Sequence, residues 1–289
     1  MKRFLNTMNN FFTNEEIFSI AQKLNQSYYA YMLDEQVWAL LFVVFPESFH
    51  PTLQNLKHKK LGHDIVNLIL MNYYPGERLL KYHLVKDFIK HKDEVALFEM
   101  KIEKSRLDVG RINGYSYAYE IKTELDSLTK LQKQIAHYAL VFEFITVILH
   151  PKHLSKASEM LPDFCGIITY HIDSLGCQFQ SVREALKSPC INSKTQIDTL
   201  NSKDLEYILK FIGEKNIPAK RSEREAALFS NVDFVDINFL FKEAIKNRYK
   251  ERWSYLCKFF KKINPIDIQE LYIGPINPDV IYYKTSSIV

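Results

Sequence analysis

The chain has 289 residues, a formal net charge of +4 at pH 7 and a sequence pI of about 8.6. This length allows one large or two modest domains, and the mildly basic balance is compatible with nucleic acid without requiring it. Four cysteines without CxxC or zinc spacing exclude a zinc module and favour buried thiols in a reducing compartment.

Residues 1–74 are predicted to be helical. Thr13–Glu16 is a helix start signal, and the pattern predicts a buried helix over Asp34–Phe45 and another over Leu53–Tyr74. The apolar run Trp38–Phe45 is far too short to span a bilayer, and the first residues lack a signal-peptide profile. We therefore expect a cytoplasmic protein with no membrane partner.

A further helix is predicted to open at Gly76 and Glu77, directly after Pro75. Its apolar side carries Leu79, Leu80, Leu84, Val85, Phe88 and Ile89. A glutamate in the first turn favours the helix dipole, which is an ordinary structural explanation for Glu77.

A hairpin is the next predicted unit. Arg106–Ile112 and Tyr115–Lys122 both alternate apolar and polar residues around Asn113-Gly114, a strong turn signal. A strict two-residue turn would pair Ile112 with Tyr115 and leave Asp108 and Glu120 on opposite faces of the sheet.

The alternative register has a three-residue loop with Gly114 in a left-handed conformation. It pairs Arg111 with Tyr115, Asp108 with Ala118 and Arg106 with Glu120. The side chains of Asp108, Glu120 and Lys122 then share one face, and the apolar residues collect on the other. We prefer this bulged register because it satisfies burial and chemistry together.

Two carboxylates on one face are held ionised most readily by a hard divalent cation, so Asp108 and Glu120 predict a Mg²⁺ or Mn²⁺ site. Lys122 lies beside Glu120 and can neutralise charge that grows on a phosphate oxygen during phosphodiester hydrolysis. Glu99, in the preceding strand, is a competing carboxylate. The ordinary explanation for such a triplet is a solvated strand edge with alternating charges. We expect Asp108 and Lys122 to be exposed in a cleft.

A helix follows and is predicted to open at Asp126 and Ser127, which have good N-cap chemistry. Gln134 and Tyr138 lie one turn apart on one stripe with Lys130, where an amide and a phenol could bind a phosphate. Taken alone, a Gln-x-x-x-Tyr pair is usually a chance occurrence. Lys130 and Arg106 could contact phosphate or pair with Glu120 or solvent.

The remaining elements are predicted in chain order. Phe144–Leu149 is a buried strand, a helix runs from Pro151 to about Met160, and Cys165–Ile172 and Gly176–Val182 are further strands. Residues from Lys187 to about Ser202 form a linker. Four helices are then expected, over Asp204–Lys215, Glu223–Leu228, Asp236–Lys250 and Trp253–Lys262.

Basic residues cluster at Lys57–Lys60 and again through Lys242–Lys262, where they alternate with aromatic residues. The second cluster is a candidate nucleic-acid groove, because cations neutralise phosphates and aromatic rings stack on bases. Its candidate contacts are Lys246, Arg248, Lys250 and Arg252. The alternative is an amphipathic helix whose aromatic residues belong to the core.

The spacing of Asp108, Glu120-x-Lys122 and Gln134-x-x-x-Tyr138 resembles the PD-(D/E)XK nuclease superfamily, in particular its RecB-type QxxxY branch. Tyr119–Lys122, Asp126–Leu128, Leu131 and Gln134 resemble more closely an uncharacterised bacterial family catalogued under a myxobacterial locus tag. The likeness covers roughly residues 75–182. It departs from the name-giving pattern at Asp108, which follows a leucine instead of a proline.

The resemblance implies an α+β fold with a restriction-endonuclease-like αβββαβ core, a mixed sheet flanked by helices. Asp93–Glu103 would be the first strand, and Glu77 would be a third acidic residue at the metal. The implied division is a helical region over 1–74, a nuclease-like core over 75–186 and a helical region over 187–289.

By the same resemblance the protein would be a Mg²⁺- or Mn²⁺-dependent nuclease that acts on DNA rather than RNA, in defence against foreign DNA or in repair. A companion protein is a further implied partner. Two other classes stay open: a catalytically silent nucleic-acid- or partner-binding module on the same fold, and a helical interaction or toxin-inhibitor component whose strand motif is chance.

Overall fold

A six-stranded mixed sheet organises residues 95–183 of the protein, whose structure is a computed structural model. The structure describes residues 2–173, 176–232 and 234–283. The chain divides into two compact units: Met1–Leu84 with Tyr255–Val289, and Val85–Ser254.

The strands follow one another in space as they do in sequence. They are β1 Val95–Ile102, β2 Ser105–Ile112, β3 Ser116–Lys122, β4 Phe144–Leu149, β5 Gly166–Asp173 and β6 Gly176–Arg183. The β3–β4 and β4–β5 pairs are parallel and the other pairs are antiparallel. The predicted strands are confirmed to within a few residues, because each is a short alternating or apolar run bounded by turn signals.

The helices are α1 Lys2–Phe11, α2 Asn14–Ser27, α3 Asp34–Val44, α4 His50–Lys57, α5 Gly62–Tyr73, α6 Glu77–Phe88, α7 Leu131–Ala139, α8 Leu154–Met160, α9 Ser193–Thr199, α10 Ser202–Phe211, α11 Arg221–Asn231, α12 Phe234–Phe259, α13 Ile268–Ile273 and α14 Pro278–Ile281. The order α6-β1-β2-β3-α7-β4 is the expected αβββαβ arrangement, so the predicted α+β class is confirmed. Helix α7 packs on β2 and β4.

The helical prediction for residues 1–74 is confirmed, with one correction. Leu53–Tyr74 is not a single helix, because residues 58–61 between α4 and α5 are not helical. The amide of Gly62 donates to Asp34 Oδ1 at 2.6 Å, and the buried Trp38 and Phe49 belong to the core that these helices form. A contact 28 residues away in sequence therefore fixes the start of α5.

The predicted linker and C-terminal helices also need correction. Helix α9 lies inside the expected linker, and α12 is one continuous helix where two were predicted. The implied three-part division stays a prediction, and the compact units have their boundaries at Leu84–Val85 and Ser254–Tyr255. The Tyr28 hydroxyl donates to Asp267 Oδ2 at 3.0 Å within the first unit.

The cysteines are free thiols, but only Cys165 is buried, so the expectation of four buried thiols is wrong. Cys177 is half-buried, and Cys190 and Cys257 are exposed. Among the described residues, no helix is both long and apolar enough to cross a bilayer.

Candidate functional site

The β2–β3 hairpin adopts neither of the registers predicted from its sequence. Ile112 pairs with Ser116 and Gly110 with Ala118, which leaves Asn113, Gly114 and Tyr115 as the loop. Gly114 has the expected positive φ, at 89°. The side chain of Glu143 accepts the backbone amide of Ser116 at 3.0 Å, so a long-range contact makes Ser116 the first residue of β3.

The observed register differs from the bulged one by two residues and therefore keeps the same faces. Continued along the strands, it places Asp108 opposite Glu120. The backbone pairs end at Val109 and Tyr119, and beyond this point the amide of Ile121 donates to Asp108 Oδ2 at 2.6 Å. The carboxylate of Asp108 thus takes the place of a strand partner where β2 and β3 separate.

Glu120 is the centre of a buried cluster. Only 1% of its surface is exposed, and its Oε1 atom accepts from Lys122 Nζ at 2.6 Å and from Gln134 Nε2 at 2.5 Å. Its Oε2 atom accepts from the Tyr138 hydroxyl at 2.8 Å. Residues that lie up to 18 positions apart in sequence therefore meet at one carboxylate.

Helix α7 supplies two of these donors because Gln134 and Tyr138 are one turn apart on the face that packs on the sheet. The hydroxyl of Tyr138 also lies 2.9 Å from the carbonyl oxygen of Arg106. Burial, followed by the negative charge of Glu120, raises the pKa of Tyr138 far above its usual value. The phenol therefore stays protonated and acts as a donor.

Two expectations about exposure are wrong. Lys122 is 9% exposed and ion-paired with Glu120, and Asp108 is half-buried. Gln134 and Tyr138 of α7 reach Glu120 on this side of β3, and Lys122 is buried beside that carboxylate instead of exposed on an open cleft wall. The predicted helix start is also wrong: Asp126 accepts the amide of Thr123 at 2.7 Å, and the helix begins at Leu131.

Glu99 lies on the same side of the sheet as Asp108. The two residues face each other between the pairs Phe98–Val109 and Met100–Leu107, and a carboxylate oxygen of each lies within 4.8 Å of the other. Glu99 has a φ of 56°, which is rare for a non-glycine residue in a strand, and its Oε2 atom lies 2.9 Å from Arg106 Nε. No sequence signal announces this backbone conformation.

Glu77 belongs to the first compact unit, whereas Asp108 and Glu120 belong to the second. It stands in the first turn of α6, as predicted, and forms an ion pair with Lys81. Its assignment as a third metal ligand stays a prediction.

The candidate nucleic-acid contacts fall into two groups. Arg106, Lys130, Lys250 and Arg252 are exposed. In the second group, Lys246 Nζ lies 3.0 Å from Glu243 Oε1, and Arg248 forms a bidentate ion pair with the buried Asp204.

The part of the Lys242–Lys262 cluster that belongs to the second compact unit contains two aromatic residues, and both are buried. Tyr249 and Trp253 are 8% and 5% exposed. The observed burial fits the amphipathic-helix alternative better than a base-stacking surface.

Comparison with known proteins gives one family. The family model of bacteriophage P4 protein cII matches residues 76–272. Protein cII of Enterobacteria phage P4 is 24% identical over 144 residues, which are 50% of this chain and 54% of that protein. The chain thus spans about half of the length of this relative. No solved structure matches.

These matches name neither a nuclease nor a metal, so the resemblance to PD-(D/E)XK nucleases stays a prediction. The family model covers well over half of the chain and includes the sheet, helix α7 and all the residues around Glu120. The chain belongs to the bacteriophage P4 protein cII family.

Proposed function

We propose that this protein is a metal-dependent nuclease that hydrolyses phosphodiester bonds, with DNA as its substrate. One observation carries the proposal: Lys122, Gln134 and Tyr138 all donate to the buried carboxylate of Glu120, and Asp108 lies on the neighbouring strand. A surface strand with ordinary alternating charges would not bury these groups around one another.

The donor set fits a hard divalent cation. Asp108 and Glu120 offer carboxylate oxygens, as does Glu99, and Mg²⁺ and Mn²⁺ prefer such ligands. A bound cation would supply Lewis acidity and would neutralise negative charge on a phosphodiester. Asp108 and Glu120 are the residues that we assign to hold it.

Lys122 has the second role. Its ammonium group is fixed by the hydrogen bond to Glu120, so its remaining N–H donors have a defined direction. Such a group can stabilise charge on a phosphate oxygen without reorganising during the reaction. Gln134 and Tyr138 hold the Glu120 carboxylate in place and are positioning residues.

A second candidate function is a catalytically silent module that binds nucleic acid or a partner protein. The saturation of Glu120 favours it, because both carboxylate oxygens already accept side-chain donors. A cation that used Oε1 would have to displace the Lys122 or the Gln134 contact. The two candidates therefore differ in whether a divalent ion stabilises the protein.

The test measures cleavage and metal binding on the same samples. Supercoiled plasmid, linear duplex, single-stranded DNA and RNA are incubated with Mg²⁺ or Mn²⁺, and thermal unfolding is followed with and without the ion. Saturation at about 100 times the dissociation constant would stabilise the folded protein by about 2.7 kcal/mol. Asp108→Asn keeps an acceptor for the Ile121 amide but removes the charge, and Asp163→Asn makes the same change at an exposed position.

We expect cleavage and a metal-dependent rise in melting temperature for the wild type and for Asp163→Asn, with both lost in Asp108→Asn. A metal shift without cleavage of any substrate would indicate a nuclease that needs a companion protein or a different substrate. If a folded sample shows no cleavage and no metal-dependent shift, the assignment of a metal site is contradicted and the silent module is favoured. A cytoplasmic setting, in defence against foreign DNA or in repair, is part of the same proposal.

A further inference from the structure

Strand β6 is an open edge of the sheet. On one side it pairs with β5, and the pairs run from Asp173 opposite Gly176 to Ile167 opposite Arg183. Within residues 2–173, 176–232 and 234–283, no backbone hydrogen bond reaches β6 from any element other than β5. An edge of this kind is a template for another extended strand.

The sequence of β6 carries no protection against such pairing. Gly176–Val182 contains no charged residue and no proline, which are the usual devices that blunt an edge. The one irregularity leaves Val182 without a partner at the end of the strand, so Gly176–Ser181 stays regular. The opposite edge, β1, differs because it carries Glu99 with its positive φ and also Lys101.

The centre of β6 is self-complementary. Gln178 and Gln180 flank Phe179 symmetrically, and both glutamines are exposed. If a second β6 lies antiparallel with Phe179 opposite Phe179, each Gln178 faces Gln180 of the second copy. Each Cys177 then faces Ser181 of the second copy.

We propose that β6 pairs antiparallel with β6 of a second copy of this chain, around a twofold axis at Phe179. The pairing satisfies the outer backbone groups of both strands, which a single copy leaves to water. The glutamine amides can donate and accept across the axis, because each amide offers both functions. Like charges do not oppose each other, because the strand has none before Arg183.

The partner is assigned as a second copy and not as an unrelated strand because of this symmetry. A twofold interface must be complementary to itself, residue by residue. A Gln-Phe-Gln centre meets that condition in the antiparallel register. Pairing with a strand of different sequence would not require such a symmetric centre. The proposal is independent of nuclease activity.

The test uses charge reversal across the axis. Gln178→Lys/Gln180→Lys and Gln178→Glu/Gln180→Glu each place like charges opposite each other in a homodimer. Mixing the two proteins places lysine opposite glutamate at each of these positions. Gln22→Lys/Gln26→Lys adds the same charge to two exposed residues of α2 and serves as the control.

Mass is read by light scattering after gel filtration over a series of concentrations, with circular dichroism on each sample to establish folding. We expect a dimer for the wild type and for the control, a monomer for each charged double variant alone, and a dimer of mixed composition after mixing. A wild type that stays monomeric throughout overturns the proposal. A dimer that persists in the lysine variant, or a mixture that stays monomeric, overturns it as well.

Discussion

Replacement of Lys122 by methionine should destabilise the protein strongly, in contrast to what its sequence position on an alternating strand suggests. Methionine keeps much of the apolar stem but removes the ammonium group 2.6 Å from Glu120 Oε1. Both side chains are buried, with 11% of the lysine side chain and 1% of the glutamate side chain exposed. Breaking a buried ion pair by removing one partner costs about 3–5 kcal/mol, because the other charge stays buried.

The size of the effect should depend on the charge of Glu120. In Lys122→Met/Glu120→Gln, the oxygen of the neutral amide can still accept from Tyr138, and its NH2 group can donate to the carbonyl oxygen of Gln134 once that amide turns over. No uncompensated charge is then left in the interior. We therefore expect the double variant to recover more than half of the stability that Lys122→Met loses. Lys130→Met makes the same side-chain change on the exposed surface nearby and should stay within about 0.5 kcal/mol of the wild type.

The assay is equilibrium unfolding in urea, followed by circular dichroism and fluorescence. It compares the wild type with Lys122→Met, Glu120→Gln, the double variant and the control Lys130→Met. A loss below about 1 kcal/mol for Lys122→Met would refute the inference that a buried pair stabilises this unit. A double variant less stable than Lys122→Met would show that the charge of Glu120 is compensated by the other donors.

Three further changes test other parts of the structure. Burial raises the pKa of Asp267 to about 6 from the usual 3.8, so the folded protein binds this proton more tightly than the unfolded chain. The free energy of unfolding should therefore fall by up to about 1.4 kcal/mol per unit as pH rises from about 4 to 6, a slope that Asp267→Asn removes in urea titrations. Gly62→Ala should cost about 1–3 kcal/mol on thermal unfolding, because the added methyl group would lie 2.9 Å from Val37 Cγ1; an unchanged melting temperature would contradict the close contact. Arg248→Met should lower the free energy of unfolding by about 3–5 kcal/mol, because it leaves Asp204 buried without its ion-pair partner. A loss near zero would show that this ion pair does not stabilise the fold and would support a nucleic-acid contact for Arg248.

The order of the elements could be predicted from the sequence because their signals are local. The alternation on both sides of Asn113-Gly114 located β2 and β3, and the apolar run Phe144–Leu149 located β4. Gln134 and Tyr138 were assigned to one helical stripe from their spacing alone, and both reach Glu120.

The register and the burial could not be predicted in the same way. The hairpin pairs Ile112 with Ser116, and not Arg111 with Tyr115, because Ser116 is held by Glu143, which lies 27 positions further along the chain. Lys122 is buried beside Glu120, a carboxylate that also accepts from Gln134 and Tyr138 of α7. Helix α12 is continuous because no glycine or proline interrupts it near Glu251. Each of these features depends on tertiary contacts or on the absence of a breaker.

Asp108 and Glu120 differ in how the protein holds them, and this difference separates two ways in which the proposed nuclease could hold a cation. Asp108 is half-buried and accepts a backbone amide, whereas Glu120 is enclosed by side-chain donors on both oxygens. A cation held by Asp108 and Glu99 would leave the Glu120 contacts intact, whereas one shared with Glu120 Oε1 would have to replace the Lys122 or the Gln134 contact. In the first case Glu120 acts chiefly through Lys122, whose ammonium group it orients. Metal stabilisation should then survive Glu120→Gln and fail in Asp108→Asn, while cleavage should fail in both.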